Sequence, residues 1–177
     1  MATGITQPPG GTDRITEQAL GPAIALKLAG KLADGSTPAP PSATNPLKQV
    51  IWVDAGDEVL VHLDSVSARI LNRNLLVSAD LETDQTGRSP LVVVFATGAA
   101  GDPAGLVAVT DELPRGNPIL AARWGPILRS AVWAALLGMA TDFASKYKLA
   151  PRAITATQGV LVFQAGAPLT VVSGVIS

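Results

Sequence analysis

Three acidic residues at alternate positions are the main candidates for chemistry in this chain. Asp80, Glu82 and Asp84 stand in "SADLETDQTG", residues 78–87. In a β-strand, residues two apart point to the same face, so this spacing places the three carboxylates on one side of a sheet. On the opposite face of the same strand, Val77, Ala79 and Leu81 are apolar, which is typical of an antiparallel strand with one face in water and one in the core.

Two interpretations compete for these carboxylates. Acidic side chains in a row repel one another unless basic side chains or a cation lie across from them. Arg69 and Arg73, on the preceding strand and turn, are the basic candidates. Ca²⁺ is the alternative, because it prefers several oxygen ligands, although the EF-hand spacing is absent. The sequence therefore predicts a solvated acidic face, with a calcium site at Asp80, Glu82 and Asp84 as the alternative.

Other catalytic sets cannot be assembled from this sequence. His62 is the single histidine, and Asp64 follows two residues later. One His and one Asp fall short of the three or four ligands of a zinc or iron site. The chain contains no cysteine, and nucleophile-elbow, phosphate-loop and dinucleotide motifs are absent. We therefore predict a non-enzymatic protein without a cofactor, in which His62 is a structural or surface residue. A small enzyme would need a pocket that joins His62 to carboxylates from another strand.

The composition is unusually apolar for a chain of 177 residues. Charged residues make up 15% and hydrophobic residues 47%, and the mean hydropathy is +0.34. Such a chain must bury either a large core or part of its outer surface against other chains. The net charge of −1, with scattered basic residues, argues against a nucleic-acid partner.

The N-terminus lacks the basic and apolar regions of a signal peptide, which predicts synthesis in the cytoplasm. The longest apolar run, residues 131–140, is shorter than the ~20 residues of a spanning helix. We therefore predict no membrane span.

Alternating apolar residues predict β-strands from residue 48 to about residue 113. Turn signals interrupt them about every 8–12 residues, among them "DAGD", "NRN" and "DQTGRSP". This spacing is typical of an antiparallel sandwich or barrel. The run at 91–98 is apolar on both faces and predicts a central, fully buried strand. Residues 105–113 predict a further short strand.

A long helix follows these strands. The Asn-Pro pair at 117–118 is a typical helix start, and the Gly-Pro pair at 125–126 predicts a kink or a break into a short and a long helix. Beyond the helix, we predict a hairpin at 152–166 and a last strand at 168–177. The predicted fold class is mainly β (α+β): an antiparallel β-sandwich or barrel-like domain with one long kinked helical segment, at about residues 118–148, packed on it.

The first 47 residues are rich in proline and glycine and predict an N-terminal arm, with residues 48–177 forming a single β-rich domain. The arm contains one short element at about 22–33. A helix would place Ile24 and Leu28 in one stripe, whereas a strand would place Ile24, Leu26 and Leu28 on one face. The strand is the preferred interpretation, because the elements that follow are β.

These features together predict a structural or assembly protein that forms a symmetric homo-oligomer or a particle of the virion, phage-tail or injection-machine type. Its predicted partners are other copies of itself and other particle proteins, and it would end in a virion or secreted particle. The arm and the helix are expected to contact neighbouring subunits. The predicted contact residues are Ile24, Leu26, Leu28, Trp124, Trp133 and Leu137. The alternative is a β-sandwich binding module for Ca²⁺, a glycan or a protein ligand.

Overall fold

The computed structural model describes residues 11–29, 48–97 and 112–167. These residues form eight strands and two helices. In chain order the elements are β1 (Gly11–Thr16), α1 (Glu17–Ala29), β2 (Gln49–Asp54), β3 (Asp57–Leu71), β4 (Asn74–Thr83), β5 (Gly87–Ala96), β6 (Arg115–Gly116), α2 (Pro118–Lys146), β7 (Ala150–Thr157) and β8 (Val160–Gly166).

The strands form two antiparallel sheets with the helices packed on them. One sheet has the order β2-β3-β4-β5-β6, and the other has the order β1-β8-β7. Helix α2 contacts β5 of the first sheet and β7 and β8 of the second, while α1 packs on β3 and on α2. The buried side chains of both sheets and both helices form one hydrophobic cluster. The predicted fold class, mainly β with a long helix packed on antiparallel sheets, is confirmed.

Tight turns join the predicted hairpins where the sequence supplies residues that tolerate positive φ. Both turn residues have positive φ at Ala55–Gly56, Asn72–Arg73 and Gln158–Gly159. Two-residue turns of this kind match the twist of the strands that they join. Gly87, with a φ of 63°, starts β5 after the predicted turn "DQTGRSP".

Helix α2 starts where the sequence predicts it to start. The side-chain oxygen of Asn117 accepts hydrogen bonds from the backbone N–H groups of Ile119 and Leu120, at 3.0 and 3.4 Å. The predicted break at residues 125–126 is wrong, because one helix continues through Pro126. Gly125 allows α2 to pack closely against Pro114, since a Cβ atom at this position would lie 2.5 Å from Cγ of Pro114.

The strand preferred for the N-terminal element is also wrong. Residues 17–29 form α1, whose buried stripe of Leu20, Ile24 and Leu28 has the four-residue spacing of a helix. Leu26, which a strand would bury beside Ile24, is 60% exposed. At Gly21 the helix comes so close to β3 that a Cβ atom would lie 2.6 Å from a backbone oxygen of β3.

Part of the predicted arm belongs to the folded core. Strand β1 pairs with β8, and α1 supplies fully buried side chains to the common hydrophobic cluster. The apolar strand β5 is buried as predicted for most of its second half, but it is not central, because its neighbours are β4 and the two-residue β6. The predicted strand at 168–177 lies outside the described residues. So do residues 105–111 of the strand predicted at 105–113.

Candidate functional site

The acidic residues of β4 lie on its outer face and are paired with basic or polar side chains. Asp80 Oδ2 accepts a hydrogen bond of 2.8 Å from Nε of Arg88 on the neighbouring β5. This hydrogen bond, together with the negative charge of Asp80, raises the pKa of Arg88 above its ordinary value. Arg69, predicted as a partner, instead stands opposite Leu76. Asp80 and Glu82 share the partly exposed face of β4, and Arg88, which was not predicted, pairs with Asp80 in place of Arg69 or Arg73.

His62 is the buried member of a short polar chain on the same face. The amide nitrogen of Gln49 donates to Nδ1 of His62 at 3.2 Å, and Nε2 of His62 lies 2.7 Å from Oε2 of Glu82. With Nδ1 accepting, the Nε2–H group donates to the carboxylate. His62 is only 4% exposed, and buried polar atoms require hydrogen-bond partners. Both ring nitrogens of His62 have one. Asp64, predicted to share its face, is exposed in an irregular part of β3.

Asp84 is not part of this chain of contacts. It lies in the turn after β4, at the rim of a cleft of about 490 Å³ that also borders Asp57, Glu58 and Arg123. Hydrogen bonds to Asp57 and Asp54 raise the pKa of Arg123 above its ordinary value and tie α2 to the β2–β3 turn. Within residues 11–29, 48–97 and 112–167, no three His, Cys, Asp or Glu side chains form a group that could hold a metal ion.

The residues predicted to contact other subunits divide into two groups. Ile24, Leu28 and Trp124 are at most 2% exposed in the single chain, so they offer no surface to a neighbour in this fold. Trp133 is half-buried and stacks on Phe95, with ring centroids 5.5 Å apart. Leu137 is also half-buried, and Leu26 alone of the six is well exposed.

By length and composition, α2 is apolar enough to cross a membrane. Core helices of folded domains share this property, and ten residues of α2 are buried within the chain. The core accounts for part of the apolarity of α2, since 39% of its most apolar 18-residue window is buried.

The outer edge of β2 is the feature most suited to binding. Asp54 pairs with Asp57 across the two-residue turn, so the even-numbered residues of β2 direct their N–H and C=O groups toward β3. The same register appears at the other end, where the N–H of Leu63 donates to the C=O of Lys48 at 2.8 Å. The opposite edge of β2 therefore presents the backbone groups of the odd-numbered residues.

Those odd-numbered residues are Gln49, Ile51 and Val53. Among the described residues, no strand pairs with them on this edge. The side chains of Ile51 and Val53 are 51% and 45% exposed, and residues 49–53 carry no charge. Natural sheets usually protect an open edge with charges, prolines or bulges. This edge strand has no such protection along five residues, so it can accept another strand.

Sequence reasoning identified β2 as a short apolar strand but did not predict its open edge. The signal was present, because the "QVIWV" segment is apolar at successive positions, whereas a strand with one solvated face alternates. What the sequence could not show is which neighbours β2 has, since this depends on sheet order.

No protein-family model, curated protein or solved structure matches this chain.

Proposed function

We propose that this protein is a non-enzymatic structural subunit that assembles with copies of itself through the outer edge of β2. The observation that supports the proposal is the row of backbone groups at Gln49, Ile51 and Val53 that no described strand pairs, next to two exposed apolar side chains. An uncharged open edge of this kind is a template for strand addition. Particles of the virion, phage-tail or injection-machine type are the class of assembly that we propose for it.

The placement of the polar side chains also supports a structural role. On the outer face, Asp80 is paired with Arg88 and Glu82 with His62. A catalytic histidine needs one ring nitrogen that can exchange a proton with the substrate, and both ring nitrogens of His62 are engaged by Gln49 and Glu82. Here these groups bind one another and join neighbouring strands of the five-stranded sheet.

The test is the native mass of the untagged protein in a concentration series, compared with Ile51→Lys. We expect the natural chain to form an oligomer, and the lysine to raise its dissociation constant at least about tenfold, which corresponds to about 1.4 kcal/mol. The reason is that lysine on an edge strand opposes pairing by charge and by loss of apolar contact.

Leu71→Lys is the matched control. Leu71 is 48% exposed, close to the 51% of Ile51, but it lies at the far end of β3, away from the β2 edge. It should leave the oligomer unchanged. A natural chain that is monomeric at every concentration, or equal weakening by both substitutions, contradicts the proposal.

A further inference from the structure

We propose that β2 pairs antiparallel with β2 of a second copy of the chain, with Ile51 on the two-fold axis. This inference depends on the proposed function and adds the partner strand and its register. Pairing would join the two five-stranded sheets into one continuous ten-stranded sheet. The occupant of the edge is therefore identified as a second copy of this chain.

The backbone defines the register. The N–H and C=O groups that no described strand pairs belong to Gln49, Ile51 and Val53. In an antiparallel pair, two residues whose groups face each other exchange two hydrogen bonds. With Ile51 opposite itself, Gln49 stands opposite Val53 in both directions, so all three residues of each copy find partners and about six hydrogen bonds form. A shift by two residues leaves one of the three without a partner in the strand.

The charges at the two ends of β2 agree with this register. Lys48 precedes the strand and Asp54 ends it, and both are exposed. When Ile51 is opposite itself, Lys48 of one copy stands opposite Asp54 of the other at both ends of the pair. Arg123 already binds Asp54 and Asp57, so one negative charge of these two aspartates is left for Lys48. Opposite charges at facing positions stabilise a strand pair, whereas like charges destabilise it. The same strand placed in a parallel orientation would bring Lys48 next to Lys48.

The position of the helices also permits this arrangement. A two-fold axis that relates antiparallel neighbours in one sheet runs perpendicular to the sheet, so the buried faces of both copies remain on the same side. Val50 and Trp52 point to the buried face, and Ile51 and Val53 to the outer face. The two Ile51 side chains would therefore be neighbours on the outer face, where they cover each other from water.

Single cysteines test the register directly, because the natural chain contains none. Facing residues of a hydrogen-bonded pair have Cα atoms about 5.5 Å apart, within the range that a disulfide can bridge. Under mild oxidation, Ile51→Cys should form a disulfide-linked dimer. In Val53→Cys the two cysteines would lie about four residues apart along the strands, roughly 14 Å, so this variant should cross-link at least about ten times more slowly.

The double variant Gln49→Cys with Val53→Cys tests the same register without a cysteine at position 51. In the proposed register each copy presents these two cysteines to the other, so the double variant should link at both ends. Native mass is measured on the reduced form of every variant, to show that each one still assembles.

The outcomes separate the two proposals. An oligomer in which Ile51→Cys links no faster than Val53→Cys, and the double variant does not link, overturns this register but keeps the assembly function. A monomer at all concentrations overturns both. Rapid linking of Ile51→Cys and of the double variant, with slow linking of Val53→Cys, supports the register.

Discussion

At the scale of single residues, the side chains that resemble a catalytic or metal site stabilise the sheet. The sequence correctly predicted a shared face for Asp80 and Glu82, because alternation in a strand determines it. The partners could not be predicted, because an irregularity in β3 places residues 63–66 opposite the single residue Ala79. This shift brings His62 opposite Asp80, and no feature of the sequence identifies where a bulge occurs.

The irregularity is itself stabilised by a serine. The hydroxyl of Ser65 donates to the C=O of His62 at 2.6 Å, and accepts from the N–H of Asp80 at 2.7 Å. It thereby replaces backbone bonds that the regular ladder would make. The position of His62, and hence its contact with Glu82, depends on this local arrangement.

The structural role of His62 leads to a prediction at this scale. His62→Ala should lower the free energy of unfolding by about 1–3 kcal/mol, because it removes a buried ring and leaves Gln49 and Glu82 without their partner. Glu82→Gln should cost less than about 0.5 kcal/mol, because the amide oxygen still accepts from Nε2. Denaturant unfolding measures both. Equal losses would show that the charge of Glu82, and not its acceptor oxygen, determines the stability of this contact.

At the scale of elements, strands and turns were predicted more successfully than the N-terminal helix. Turn residues such as Asn72 and Gly159 have a local signature, because they must adopt positive φ. The segment around residues 23–29 alternates and also repeats every four residues, so both periods fit it. Packing selects the helix over the strand. Helix α1 lies along β3, and Glu17 accepts a hydrogen bond of 2.6 Å from the backbone N–H of Ile70.

Substitution of two glycines by alanine tests this packing, and the two substitutions should change the free energy of unfolding in opposite directions. Gly21→Ala places a Cβ atom 2.6 Å from the backbone oxygen of Val66, so it should destabilise the protein by about 1–3 kcal/mol despite better helix propensity. Gly138→Ala, on α2, has the side chain of Lys27 as its nearest neighbour at 3.8 Å. It should therefore stabilise by about 0.5–1 kcal/mol. Thermal unfolding followed by circular dichroism measures both, and a stabilising Gly21→Ala would contradict the close approach of α1 to β3.

At the scale of the whole molecule, the high apolar content has two sources. One is a core that includes both helices, since Leu20, Ile24 and Leu28 of α1 and ten residues of α2 are buried within one chain. Composition alone therefore does not require a partner. The second source is the β2 edge, where exposed apolar side chains coincide with backbone groups that no described strand pairs. Only sheet order revealed this coincidence.

The same result changes what a truncation is expected to do. If residues 1–47 were a separate arm, their removal would leave a folded domain, but removal of residues 1–45 deletes β1 and α1 from the common core. Loss of even one such leucine or isoleucine side chain costs about 2–5 kcal/mol, and total stability is typically about 5–15 kcal/mol. We therefore expect this truncation to abolish cooperative thermal unfolding, as followed by circular dichroism. A truncation of residues 1–10 is the control, because it keeps both elements and should retain the transition. A cooperative transition in the longer truncation would show that residues 48–177 fold without α1, and that the N-terminal segment can be exchanged between subunits.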